Sequence, residues 1–219
     1  MSARSGLFLT FEGVEGVGKS TQARLAAEFL RSRGIQVVET REPGGTAVAE
    51  RIRDLVLHGA TSVEPLTPRA ELLLMFAARA QHLAAKIEPA LAAGQWVICD
   101  RFTDATEAYQ GSGRGLGSNM IRQLEDIAQG TRRPDLTLLL DADPAVTGPR
   151  RSARGGAQDR FEREDEAFFA RVRAGYLEIA RREPGRVRLV DASGPLGTVQ
   201  QRIETVLIEA LEARTCGHE

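Results

Sequence analysis

Gly13-Val14-Glu15-Gly16-Val17-Gly18-Lys19-Ser20 fits the phosphate-loop pattern G-x-x-x-x-G-K-[ST] in full, and its flanks decide what the match means. Before it runs Leu7-Phe8-Leu9-Thr10-Phe11, an apolar stretch that reads as a buried strand. After it, Thr21 to Leu30 carries apolar residues at helical spacing. Strand, glycine loop and helix are the arrangement in which backbone N–H groups curl around phosphate oxygens. The helix N-terminus then points its positive end at the same anion. A pattern match placed at such a junction is a poor candidate for coincidence.

Residue usage sharpens the reading. Of twenty-nine basic residues only Lys19 and Lys86 are lysine. A chain so biased toward arginine keeps lysine where a compact ammonium must fit beside phosphates, a place that a planar guanidinium fills poorly. A net charge of −1 argues against a nucleic-acid partner. No apolar stretch approaches the length needed to span a bilayer, and residues 1–12 lack the form of a signal peptide, so the expected compartment is the cytoplasm. Two cysteines, Cys99 and Cys216, suggest no disulfide framework.

The 219 residues suit one α/β domain. Apolar runs alternate with amphipathic segments, which predicts a five-stranded, mostly parallel sheet with helices on both faces. Strands are expected over 7–11, 35–40, 95–99, 136–140 and 187–190. The longest helix is expected over 68–93, with Pro68 at its first position after Thr67. In open α/β sheets the ligand site lies beyond the carboxyl ends of the strands, where Gly13, Arg41, Asp100 and Asp141 all fall.

A phosphate loop alone does not separate a switch, a motor and a kinase. Arg41, Arg53, Arg79 and Arg101 are expected to crowd the face opposite the loop. Several guanidinium groups suit a second phosphate, which each can grip through paired hydrogen bonds. Arg41, beside Pro43-Gly44-Gly45, and Arg101, at a strand end, are the two best placed. Asp100 and Asp141 both follow apolar strands and could each hold a metal ion; Asp141 could instead cap the next helix. His58, His82 and His218 show no metal spacing, and surface or helix-face positions explain them.

Gly13 to Ser20, Thr40 to Thr46, Phe76-Ala77-Ala78-Arg79, Asp100-Arg101-Phe102, Ala108-Tyr109-Gln110-Gly111 and Asp159-Arg160-Phe161-Glu162 stand in the order of a known family. Over roughly residues 7–192 the chain resembles the bacterial thymidylate kinases, P-loop nucleoside monophosphate kinases. The resemblance implies transfer of the γ-phosphoryl group of ATP to dTMP with Mg²⁺, in a homodimer. ATP would lie on Gly13, Val14, Glu15, Gly16, Val17, Gly18, Lys19, Ser20 and Thr21, with Arg150, Arg154 and Arg160 above it. Arg41, Arg53 and Arg101 would grip the dTMP phosphate, with Glu42 near it and Glu15 at the sugar 3′-hydroxyl. Arg79, Thr106 and Gln110 would meet the thymine edge, Tyr109 the sugar, and Phe76 the base face. Met75 is the alternative stacking position, and core packing is the alternative for Phe76. Ser20 and Asp100 would hold the metal.

The chemistry expected of such a site is simple. A phosphomonoester has a second pKa of about 6, so the acceptor oxygen needs no general base at neutral pH. Bringing two polyanions together is the difficulty, met by Lys19, Mg²⁺, Arg101 and alignment. Residues 150–163 combine Gly155-Gly156 with five arginines and suggest a lid over 150–162. The phosphate loop has Gly16 where some family members carry an arginine. Those members that lack it supply the arginine from the lid, here Arg154 with Arg160 as the second choice, and such a group is worth about 10³-fold or more. Rival readings are a nucleoside kinase, a kinase for another monophosphate, and an ATP-dependent switch. A guanine-specific switch is disfavoured because the single asparagine, Asn119, lies in Asn-Met-Ile-Arg.

Overall fold

The computed structural model describes residues 6–59, 64–152 and 160–216. Five strands form one sheet: β1 (Phe8–Glu12), β2 (Val37–Arg41), β3 (Trp96–Asp100), β4 (Leu136–Asp141) and β5 (Val187–Asp191). Their spatial order is β2-β3-β1-β4-β5, and all four pairings are parallel. The order explains the sequence. β1, β3 and β4 lie inside the sheet and are almost wholly buried, hence their unbroken apolar runs, whereas the edge strands β2 and β5 alternate with exposed residues.

Helices α1 (Lys19–Ser32), α2 (Ala47–His58) and α3 (Pro68–His82) follow the first two strands. Thr46 caps α2 and Thr67 caps α3, each hydroxyl accepting a backbone N–H three residues on. The helix expected over 68–93 does not run as one α-helix. A π-helical stretch at Leu83–Ile87 separates α3 from α4 (Glu88–Ala92), just ahead of Pro89, which has no N–H to donate. A second such stretch, Glu107–Gly113, extends the short α5 (Thr103–Thr106) and carries Tyr109 and Gln110. Further on come α6 (Ser118–Gln129), α7 (Pro144–Ser152), α8 (Glu166–Arg182) and α9 (Leu196–Cys216). α8 begins at Glu166 because Asp165 is its cap, accepting Phe168 N–H at 2.7 Å.

The main core packs Leu9, Phe11, Leu138 and Leu140 of the sheet against α1, α8 and α9, and a second cluster gathers Phe8, Val97, Cys99, Phe102 and Ile87. Register sets what the sheet offers at its carboxyl edge. Arg41 pairs with Asp100 across β2 and β3, and Asp100 with Phe11 across β3 and β1. The order reverses at β1, which is where the glycine loop leaves the sheet.

Candidate active site

The loop between β1 and α1 closes tightly. A Cβ on Gly13 would lie 2.3 Å from the Leu140 carbonyl oxygen, and its φ of +135° is a glycine conformation. Lys19 is buried and folds back to donate to the Val14 carbonyl at 2.9 Å. Burial, with Arg101 nearby, pushes its ammonium down to about 8. A cation so far removed from water gains from an anion entering the loop.

On the metal side the Ser20 hydroxyl donates to Asp100 Oδ2 at 2.5 Å. Asp100 Oδ1 is buried without a hydrogen-bond partner among the described residues. A hydroxyl and a carboxylate with one unused buried oxygen form a hard donor set that fits Mg²⁺. Asp141 is differently engaged: both of its oxygens accept from Arg173, at 2.7 Å each. The cap after β4 is Asp143, which accepts Ala145 N–H, so neither role considered for Asp141 describes its contacts.

The expected wall of four arginines resolves into four different settings. Arg101 faces the loop, donating to the Gly13 carbonyl at 3.2 Å and to Glu15 Oε1 at 2.5 Å. The Tyr109 hydroxyl accepts from it at 3.0 Å, and the Tyr109 ring lies 4.7 Å beneath its guanidinium. Its φ of +73° is costly for a residue with a Cβ, about 1–3 kcal/mol, and strain of this kind gathers at functional sites. Arg41 is turned to the surface, 53% exposed and paired with Glu50. It opens on a cavity of about 590 Å³ that also takes in Ser20, Lys86 and Asp100. Arg53 donates to the Pro43 carbonyl at 2.9 Å.

Arg79 is buried. It donates to Glu42 Oε2 at 2.8 Å, to Thr106 Oγ1 at 2.9 Å and to the Phe102 carbonyl at 3.1 Å. Its third nitrogen, Nη1, has no partner among the described residues, and neither has Gln110 Oε1, while Gln110 Nε2 donates to Glu71 at 2.6 Å. One unused donor and one unused acceptor are what the edge of a pyrimidine requires. Glu42 is engaged at both oxygens inside the protein, by Arg79 and by His82 Nδ1 at 3.0 Å. Phe76 packs with Leu72 and Ile121 against α6, with the Arg79 guanidinium 4.9 Å over its ring, whereas Met75 belongs to the main core with Tyr109.

Of the arginines expected in a lid, Arg150 is exposed on α7, and Arg154 lies outside the described residues. Arg160 departs from the expected ATP side. It reaches across to Glu71 and to the carbonyls of Val56 and Leu66, on α2 and α3 and the segment between them. Glu71 is buried and draws the guanidinium in.

One residue, Tyr176, escaped the sequence reading, and His82 was expected only at a surface or helix-face position. His82 is fully buried, bonded through Nε2 to Thr40 Oγ1 at 2.7 Å and through Nδ1 to Glu42. Tyr176 of α8 is buried and donates to Glu12 at 2.7 Å. Glu12 itself accepts Phe102 N–H at 2.6 Å, and burial with Asp104 nearby pushes its carboxyl up to about 8. The available signal was a polar residue on an apolar helix face: His82 one turn after Arg79, and Tyr176 four after Val172.

The sequence pattern of thymidylate kinases matches residues 11–203. The chain belongs to the thymidylate kinase family. It is 56% identical over 200 residues to the thymidylate kinase of Methylococcus capsulatus, covering 91% of this chain and 94% of that protein. With the thymidylate kinase of Alkalilimnicola ehrlichii it shares 54% over 215 residues, 98% of each. The crystal structure of thymidylate kinase from Ehrlichia chaffeensis superposes with a TM-score of 0.76 at 34% identity, covering 93% of this chain and 99% of that one. Thymidylate kinase membership accounts for the P-loop fold and makes the chain a phosphoryl-transfer enzyme acting on nucleotides.

Proposed function

We propose that this enzyme transfers the γ-phosphoryl group of ATP to dTMP, yielding dTDP and ADP, with Mg²⁺ as the metal. The observation that carries the reading is Arg101, held in a strained backbone conformation at the end of β3 with its guanidinium against the phosphate loop. A cation fixed opposite Lys19 suits a second phosphate better than water. Membership of the thymidylate kinase family supports dTMP as that second substrate.

In this reading Gly13 to Thr21 cradle the ATP phosphates, and Lys19 neutralises the donor side. Ser20 and Asp100 would hold Mg²⁺, which supplies charge neutralisation between the β- and γ-phosphates. Arg101 turns from Glu15 to the acceptor phosphate, and Glu15 is released toward the sugar. Arg79 Nη1 and Gln110 Oε1 meet the thymine edge, and Tyr109 packs against the sugar. Arg41 and Arg53 flank the loop that carries Glu42 and help hold the phosphate. The lid expected over 150–162, of which residues 153–159 lie outside the described residues, would supply the arginine, Arg154 first, that stabilises the transferring group. The acceptor is already ionised at neutral pH, so no residue need act as a base.

The reading includes a homodimer working in the cytoplasm. α3 and α6 leave Leu73 and Ile127 exposed beside a groove lined by Leu72, Met120 and Leu124, which suits a second copy. No helix of the described residues is long and apolar enough to cross a membrane. A coupled ADP assay with ATP, Mg²⁺ and a panel of acceptors tests the assignment. dTMP should be turned over fastest; faster use of thymidine, UMP or AMP, or ATP binding with no turnover on adding dTMP, counts against it.

A further inference from the structure

Arg101 is held from an unexpected direction. Its Nη1 donates to the hydroxyl of Tyr176 at 3.2 Å, and that hydroxyl donates onward to Glu12 Oε2 at 2.7 Å. Glu12 completes the chain by accepting Phe102 N–H at 2.6 Å, on the residue that follows Arg101. The relay therefore grips Arg101 twice, at its guanidinium and at the turn whose φ is +73°. Three separate elements take part: the end of β1, the turn after β3, and the middle of α8.

The partners of Arg101 differ in kind. Tyr176, Tyr109 and the Gly13 carbonyl are neutral, and both tyrosines are buried. Glu15 is the charged one, lies in the loop and keeps 18% of its side chain exposed. An entering phosphate competes with Glu15, since each is an anion seeking the same N–H groups. It has no cause to displace the neutral partners. Tyr109 supports the guanidinium face and takes one hydrogen bond from Nη2, and Tyr176 takes one from Nη1, which leaves the Nη2 bond now on Glu15 for exchange.

We infer that Tyr176 is a positioning residue for the acceptor phosphate: with Glu12 it fixes the Arg101 guanidinium in the posture from which Glu15 is exchanged for that phosphate. The inference rests on Arg101 as the grip for dTMP. A purely structural role is the alternative, because the Tyr176 ring also packs edge-on to Tyr109 at 6.3 Å. The hydroxyl separates the two. Tyr176→Phe keeps the ring and removes the relay.

Steady-state kinetics of wild type and Tyr176→Phe, with dTMP and ATP varied separately, provide the test, together with the melting temperature of each. We expect kcat/KM for dTMP to fall by about 10-fold or more, the loss of one buried hydrogen bond to a charged group, while KM for ATP stays within about twofold. In an Arg101→Ala background the same change should add less than about twofold, because the residue it positions is gone. Equal losses toward both substrates, the same loss in both backgrounds, or a Tyr176→Phe protein without a cooperative melting transition would each assign Tyr176 to structure and overturn the inference. Wild-type protein that does not turn over dTMP sinks the substrate assignment and the inference together. Turnover by the wild type with an unselective variant sinks the inference alone.

Discussion

The Ser20 hydroxyl and the Asp100 carboxylate meet at 2.5 Å although 80 positions separate them in the chain. One residue opens α1 and the other closes β3, and it is the parallel pairing of β1 with β3 that brings the two element ends side by side. The contact leaves Asp100 Oδ1 buried with no partner among the described residues, which is the feature that suits a divalent cation.

Asp100→Asn should therefore leave the fold intact while weakening metal use. The amide oxygen can still accept from Ser20, but the charge is lost. Turnover is expected to fall about 10²-fold or more, with the Mg²⁺ concentration for half-maximal rate shifted upward. Titrating Mg²⁺ at saturating ATP checks this; an unchanged metal requirement would show that Asp100 serves only to hold Ser20.

Lys19→Ala should separate activity from stability. Its ammonium is buried, and its affinity for a proton is lowered by that burial, so removing it relieves a desolvation cost in the empty protein. The denaturation midpoint should hold or rise, while turnover drops by about 10²-fold or more. Chemical denaturation beside the coupled assay makes the comparison, and retained activity would remove the loop lysine from the mechanism.

Glu12 gives the protein a pH signature. Burial first, then Asp104, raise its carboxyl from the ordinary 4.5 to about 8, against the pull of Arg101, Tyr176 and Phe102. Between those values the folded state keeps a proton that the unfolded chain has released, so stability falls as pH rises through the window. The contribution is complete below about 4.5 and lost above about 8. Melting temperatures measured from pH 5 to 8.5 should decline, and Glu12→Gln should flatten the slope; a wild-type curve that climbs through this range contradicts the assignment.

His82 is expected to matter for stability and not for the reacting atoms. It links Thr40 to Glu42, and a Cβ on Gly45 would lie 2.4 Å from its Nε2, so the loop after β2 is packed directly on the ring. His82→Leu preserves bulk but strips Glu42 of one of its two donors, at a cost of about 1–3 kcal/mol. At about 2–4 °C per kcal/mol for a chain of this size the melting temperature should fall measurably. An unchanged midpoint would mean that Arg79 alone satisfies Glu42.

Residue order alone dictates whatever depends on neighbours along the chain. Apolar runs marked the strands, the glycines and Lys19 marked the phosphate loop, and Asp100 at a strand end could be placed because parallel sheets gather their ligands at one edge. The motif at 40–46 identified the family for the same reason, since a contiguous stretch preserves its own order. Partners depend on how distant segments pack. Arg41 is paired with Glu50, Arg160 with Glu71, and Asp141 with Arg173. An arginine reads alike in every setting until its carboxylate is known, and that carboxylate can stand anywhere in the chain. Tyr176 and Glu12 lie 164 residues apart, joined by one hydrogen bond that no periodicity announces. Helical spacing explains why the Tyr176 ring is buried; only the packing of the folded chain brings its hydroxyl to Glu12.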